Sequence, residues 1–150
     1  MKRAILRSLS VAMISAVGLL AWGAGHPEPA WSHDDACSVR TLKGTYLFTC
    51  HGVQGKKQTD FAAAGKETFH GDGTLDGVIT LTDKDNVQRH HSYTGTYTVN
   101  PDCTGTVTEG DETIGVVHID MFFPPDGAEL DYIGTDPGIV DSLVERRVGR

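Results

Sequence analysis

Short strand-like segments recur along this chain about every 12 residues, and most are bounded by turn-forming residues. The turns at 70–73 and 124–127 are rich in glycine, proline and aspartate, which favour reversal of the backbone. Only the segment 59–68 offers a helical alternative, through 61–64, and Gly65 interrupts it. The predicted strands are 44–51, 61–70, 74–83, 87–99, 104–109, 113–123, 129–133 and 139–148.

About eight short strands without intervening helices indicate an all-β domain, either a sandwich or a closed barrel. We favour a small antiparallel closed barrel, with the sandwich as the alternative. An eight-stranded barrel has an interior just large enough for packed side chains or for one small ligand. The strand 113–123 is apolar on both faces, which is typical of a strand covered on both sides or lying at a contact between subunits.

The first 32 residues have the pattern of a secretory signal peptide. Lys2, Arg3 and Arg7 precede an apolar stretch at 11–21, and small residues follow it, so we expect cleavage between 23 and 32. The apolar stretch is short for a membrane span, which needs about 20 residues, although a retained anchor is the alternative. The sequence therefore predicts a periplasmic or secreted single domain, 33–150, without stable membrane insertion after cleavage.

Charge argues against one class of partner. Without the three basic residues and the one acidic residue of 1–32, the formal charge changes from -7 to -9. Such an acidic domain repels the phosphate backbone of nucleic acids. The sequence also contains no phosphate-binding loop and no dinucleotide fingerprint. We therefore expect no nucleic-acid partner and no cofactor.

Three cysteines follow the leader: Cys37, Cys50 and Cys103. Disulfides persist in oxidising compartments, so one bridge and one free thiol are expected, with three pairings available. Cys50 shares a strand face with aromatic residues, which favours a buried thiol. We therefore favour a Cys37–Cys103 bridge, with Cys37–Cys50 as the alternative.

Alternation along the strands predicts an inner face and a ligand pocket. If the strand 87–99 turns Val87 inward, then Arg89 and His91 share that face. If 61–70 turns its phenylalanines inward, then Glu67 joins them. A cavity of apolar walls with a few polar groups is the usual form of a small-ligand site. The predicted pocket walls are Tyr46, Phe48, Phe69, Tyr93 and Tyr97.

Within such a pocket, Glu67 and His91 are the candidate catalytic residues, because either could transfer a proton and burial raises the pKa of a carboxyl group. The competing interpretation is that Glu67 pairs with a basic side chain and that His91 and Arg89 contact water. The sequence contains no nucleophile elbow that would identify a hydrolase.

Metal binding has one candidate, a loop with partial EF-hand spacing. Its oxygen-bearing residues include Asp72, Thr74, Asp76 and Asp83, and calcium takes 6–8 such ligands. Position 12 of the loop is Asp83 rather than a bidentate glutamate, and neither flank has the pattern of a helix. A glycine-rich hairpin is the favoured interpretation, so we expect no metal.

Several motifs together resemble a family: an N-terminal cysteine, 42–46, 69–73 and above all 95–106, which reads GTYTVNPDCTGT. This set is similar to small exported bacterial proteins of calycin or allene oxide cyclase barrel-like type, over most of 37–148. The resemblance implies a small antiparallel barrel with an apolar cavity, and relatives of that shape bind or cyclise hydrophobic small molecules. No cyclase catalytic residue matches a position here.

The leading hypothesis is an exported barrel that binds a small apolar or aromatic molecule. The alternative is an isomerase or cyclase of allene oxide cyclase-like type that works inside the barrel. A second alternative is a structural or interaction module, a homo-oligomer formed through the strand 113–123.

Overall fold

The computed structural model describes residues 36–150, which form eight strands and one short 3-10 helix. The helix spans Val39–Leu42. The strands are β1 (Gly44–Gln54), β2 (Thr59–Phe69), β3 (Thr74–Asp83), β4 (Val87–Val99), β5 (Thr104–Asp111), β6 (Gly115–Phe122), β7 (Glu129–Gly134) and β8 (Ile139–Gly149).

These strands form one closed antiparallel barrel in which each strand pairs with its neighbours in sequence and β8 pairs with β1. This confirms the predicted barrel and removes the sandwich alternative. Strand positions also follow the prediction closely, because turn residues mark nearly every strand end. The helical alternative at 59–68 is wrong, since Ala63 lies in β2 and pairs with Cys50 of β1.

The two ends of the barrel differ. At one end, which we call the closed end, the 3-10 helix packs beneath the turns that join β2 to β3, β4 to β5 and β6 to β7. The predicted Cys37–Cys103 disulfide is present there, with 5.0 Å between its Cα atoms. Arg147 donates hydrogen bonds to the Tyr46 hydroxyl and to the Thr41 carbonyl oxygen at the same end. The opposite end, with the four remaining turns, is the open end.

Inward-facing side chains fill the closed half of the barrel. The Phe69 ring lies edge-on between Tyr46 and Tyr97, with centroid distances of 5.3 and 4.9 Å. Tyr46 donates a hydrogen bond of 2.7 Å to the Gly127 carbonyl oxygen, which satisfies its buried hydroxyl group. Leu42 of the 3-10 helix is fully buried against this cluster. The closed half is therefore a packed core.

A β-bulge in β4 changes the face that its first residues present. Ile79 pairs with His91 and Leu81 with Gln88, so Arg89 and His90 together oppose one residue of β3. His90 has a φ of 49°, in the left-handed region. A bulge inserts one extra residue into a strand, so the residues that precede it point to the opposite face from the one that simple alternation predicts. The prediction that Val87 and Arg89 face inward is therefore wrong; both are exposed.

Strand β6 buries Ile119 and Met121, whereas Val116 and Phe122 on its other face are about half exposed. The predicted signal peptide, 1–32, lies outside the described residues. Within 36–150, no helix has the length and apolar character needed to cross a bilayer.

Candidate functional site

A pocket occupies the open half of the barrel, with a cavity volume of about 90 Å³. A cavity of this volume has room for a small molecule or for one end of a longer molecule. Residues from the interior and from the turns of the open end line it: Phe48, Cys50, Gln54, Phe61, Ala63, Ile79, Leu81, Tyr93, Glu109, Gly110, Ile114, Gly115, Val117, Ile119, Ile139, Asp141 and Leu143.

Small residues on β2 help to leave this space. Ala63 and Gly65 occupy successive inward positions where larger side chains would fill the barrel. A Cβ atom at Gly65 would lie 2.7 Å from Cζ of Phe48, so the glycine makes room for that ring. The pocket wall is thus mostly apolar, with carboxyl groups among its few polar members.

Three glutamates project into the barrel interior from three separate strands. Glu67 lies on β2, Glu109 on β5 and Glu145 on β8, and we call them the glutamate cluster. Glu67 and Glu145 are 1 % exposed, while Glu109 reaches the pocket. Charged side chains are almost never this buried without a partner of opposite charge.

Hydrogen-bond donors for this cluster are scarce. Tyr93 donates a hydrogen bond of 2.5 Å to Oε1 of Glu67. Among the described residues, none donates to the buried Oε2 atoms of Glu67, Glu109 or Glu145, and the Tyr132 hydroxyl is also without a partner. The Glu67 carboxyl group nonetheless lies close to those of Glu109 and Glu145. Two carboxylates cannot bond to each other, so these contacts become hydrogen bonds only when one member carries a proton.

Burial is the main cause of raised pKa values throughout the cluster. Burial raises the pKa of Glu67, against the opposing effect of its hydrogen bonds. Burial and the negative charge of Glu67 together raise the pKa of Glu109 and of Glu145 well above the usual range. The cluster therefore retains protons at pH values where exposed glutamates have lost them.

Cys50 and Asp141 lie on neighbouring strands at the pocket wall. The thiol is free and buried, as predicted, and its Sγ atom is 3.9 Å from Oδ2 of Asp141. Burial and the Asp141 charge raise the pKa of Cys50 to about 12. Because the thiolate is the reactive form, this thiol is a poor nucleophile.

The structure brings only part of the predicted pocket together. Phe48 and Tyr93 line the cavity. Tyr46, Phe69 and Tyr97 do not; they form the aromatic core of the closed half described above.

The two catalytic candidates are also separated. Glu67 is buried below the pocket, bonded to Tyr93. His91 is absent from the pocket wall, and its Nε2 atom lies 2.7 Å from Oδ2 of Asp111 near the β5–β6 turn. Glu67 has no basic partner among residues 36–150, whereas His91 forms a partly exposed pair with a carboxylate.

The calcium candidates do not converge. Asp72 accepts hydrogen bonds from the backbone and side chain of Thr74, and Asp76 pairs with His70. Asp83 lies at the far end of β3 and accepts from the backbone of the next turn. Within residues 36–150, no group of three or more acidic, histidine or cysteine side chains is arranged to hold a metal ion.

Two members of the glutamate cluster were missed by sequence reasoning. Glu109 lies two residues after Val107, the largest apolar residue of its predicted strand, so the two side chains point to the same face of that strand. This shared face is a signal that could have placed Glu109 inside the barrel. For Glu145 the signal is divided: Ile139 and Leu143, on its own face of β8, line the pocket, whereas the valines at 140, 144 and 148 on the other face are 41–66 % exposed.

Comparison with known proteins supports the fold alone. No protein-family model and no curated protein matches the chain. A solved structure of a redesigned β-barrel is similar to it, with 21 % identity and a TM-score of 0.54. That match covers 73 % of this chain and 94 % of the other.

Proposed function

We propose that this protein binds a small, largely apolar molecule in the open-half pocket. The observation that carries the proposal is the asymmetry of the barrel interior. Aromatic residues and the 3-10 helix fill the closed half, whereas the small Ala63 side chain at the wall helps to leave the open half hollow. Apolar walls with a few polar groups are the usual form of a small-ligand site.

The sequence supports an exported role for this binding protein. The predicted leader at 1–32 would direct export, and the Cys37–Cys103 disulfide suits a non-reducing compartment. The resemblance to calycin and allene oxide cyclase-type barrels is in keeping with an apolar ligand. We therefore place the protein in the periplasm or outside the cell.

A matched pair of substitutions on β2 tests the binding site. Ala63 faces the pocket, and Ala64, the next residue, faces solvent. Ala63→Leu adds three carbon atoms to the cavity, while Ala64→Leu adds the same atoms outside. We would titrate both variants and the wild type with 1-butanol and toluene, following backbone amide resonances by NMR.

The proposal predicts shifts at residues of the pocket wall in the wild type and in Ala64→Leu, and their loss in Ala63→Leu. Absence of binding to the wild type, or binding that Ala63→Leu leaves unchanged, would overturn it. Because overpacking costs about 1–3 kcal/mol, urea unfolding of each variant would show that it remains folded.

A second candidate is an isomerase or cyclase at the same site, favoured by the Tyr93–Glu67 hydrogen bond. Burial raises the pKa of the Glu67 carboxyl group, and a raised pKa suits a carboxyl group to general acid catalysis. Native mass spectrometry would identify a co-purifying compound, and incubation with protein would show whether it is converted. Conversion that Glu67→Gln abolishes, with binding retained, would favour the enzyme; unchanged compound would favour simple binding.

A further inference from the structure

Resting on the proposed function, we propose that the ligand is an organic cation, an amine whose ammonium group contacts Glu109 and whose apolar part fills the pocket. Three features support this inference: the acidic side chains on the pocket wall, the hydrogen bonds missing from the glutamate cluster, and the apolar cavity above that cluster.

The pocket wall carries charge of one sign. Glu109 and Asp141 line it, and none of the described residues lining it is lysine, arginine or histidine. Arg147 also belongs to β8, but its guanidinium group is bonded to Tyr46, Thr41 and Asp126 at the closed end. A pocket with this lining repels anions and favours a cation.

The glutamate cluster needs donors that the described residues do not supply. From outside the cluster, the part of the chain that the structure describes supplies one donor, the Tyr93 hydroxyl, and that bond is made to Glu67. Oε2 of Glu109 is buried without a donor, in a residue that reaches the pocket. Glu67 is 1 % exposed and also has an unpartnered Oε2 atom within the cluster. An ammonium group brings three donors and a positive charge, which suits carboxylates of this kind.

Two acidic groups act on Glu109 through their charge, Glu67 of β2 and Glu145 of β8. Glu109 in turn lies near enough to Cys50 of β1, Tyr93 of β4 and Tyr132 of β7 to raise their pKa values, and Asp141 of β8 lines the same pocket. Ionised Glu109 is therefore unfavourable in the empty pocket. A bound cation would supply the missing positive charge.

Binding is then coupled to release of a proton. A protonated Glu109 that meets an ammonium group loses its carboxyl proton to solvent, and the resulting carboxylate accepts hydrogen bonds from the ammonium ion. The ammonium group keeps its own proton, since its pKa, like that of lysine, is about 10. Affinity for the amine therefore increases as the pH rises toward the raised pKa of Glu109, because less work is needed to ionise that carboxyl group.

Three probes of equal size test the charge preference: n-butylamine, 1-butanol and butyrate. With the wild-type protein at ~0.15 M salt, where the Debye length is about 8 Å, we expect butylamine to bind roughly tenfold or more tightly than butanol and butyrate to bind most weakly. Isothermal titration in buffers of different ionisation enthalpy should show protons released with butylamine and none with butanol.

Glu109→Gln should remove both the butylamine preference and the proton release while butanol still binds. Glu112→Gln is the matched control, because it makes the same substitution at an exposed position in the next turn. It should behave as the wild type does, which separates a pocket contact from general attraction to an acidic protein.

The outcomes distinguish the two proposals. If butanol binds and butylamine shows neither preference nor proton release, the cation is excluded and the binding function stands. If the preference survives Glu109→Gln, the ammonium contact is wrongly assigned. If no probe binds to the wild type, the binding function itself fails.

Discussion

Tyr93 reaches over Gly77 to donate its 2.5 Å hydrogen bond to Glu67. The three residues lie side by side on adjacent strands, because Gly77 pairs with Glu67 on one side and with Tyr93 on the other. A Cβ atom at position 77 would lie 2.4 Å from Cζ of Tyr93 and 2.5 Å from its hydroxyl oxygen. The missing side chain is thus what allows a tyrosine two strands away to reach the buried carboxyl group.

We expect Gly77→Ala to lower the free energy of unfolding by about 1–3 kcal/mol, because the added methyl group displaces the Tyr93 ring. Urea unfolding would measure the change. Gly149→Ala is a control, since its Cβ atom would meet nothing closer than 4.0 Å and should cost less than about 0.5 kcal/mol. Equal stability of Gly77→Ala and wild type would show that Tyr93 can move without loss.

The glutamate cluster predicts a stability that falls as the pH rises. Burial and the charge of Glu67 raise the folded-state pKa of Glu145, so above the ordinary value of about 4.3 the folded protein holds a proton that the unfolded chain has lost. This contribution to stability is complete below that ordinary value and disappears as the pH rises through the folded-state pKa. The limiting slope is about 1.4 kcal/mol per pH unit for each such group.

Glu145→Gln should therefore flatten the fall in stability that begins above about pH 4.3 and make the protein more stable than wild type at the alkaline end. Urea unfolding at several pH values would measure both effects. The exposed Glu112→Gln control should keep the wild-type slope. If the slope of Glu145→Gln matched the wild type, Glu145 would titrate normally in the folded state.

Most of the fold could be predicted from the sequence, because the turns and the alternation are local features. The glycine- and aspartate-containing turn at 70–73, for example, fixes the boundary between β2 and β3. Glu67 could also be placed inside the barrel, because alternation puts it on the same face of β2 as Ala63 and Phe69. All three residues are buried.

What could not be predicted depends on the register between strands. The bulge at Arg89 and His90 turns Val87 outward instead of inward, and nothing in the local sequence of β4 predicts the bulge. In β8 apolar residues lie on both faces, with Ile139 and Leu143 inward and the valines outward, so alternation alone does not select a face for Glu145. Only its pairing with Phe48 of β1, which closes the barrel, turns this glutamate inward.

The Cys37–Cys103 disulfide should contribute about 4 kcal/mol to stability, because its partners are 66 residues apart in sequence and the bridge restricts the unfolded chain. Reduction should lower the urea midpoint of the wild type to that of Cys37→Ala/Cys103→Ala. The same reductant should leave the double variant unchanged, because Cys50, the third cysteine of the described chain, is free. A double variant as stable as the oxidised protein would contradict this assignment.

Two adjacent arginines of β8 should differ sharply in their effect on stability. Arg147 donates to the Tyr46 hydroxyl at 2.6 and 2.9 Å and to the Asp126 carbonyl oxygen at 2.9 Å, which joins the closed-end turns to the barrel wall. Arg146 is 76 % exposed and pairs only with Glu129, at 2.8 Å.

Arg147→Met removes charged donors from partly buried oxygens and should cost about 1.5–3 kcal/mol. Arg146→Met breaks an exposed ion pair and should cost less than about 1 kcal/mol, an effect that added salt would reduce further. Urea unfolding of both variants at low and high salt measures the difference. Equal losses would mean that the Arg147 hydrogen bonds stabilise the closed end no more than a surface ion pair does.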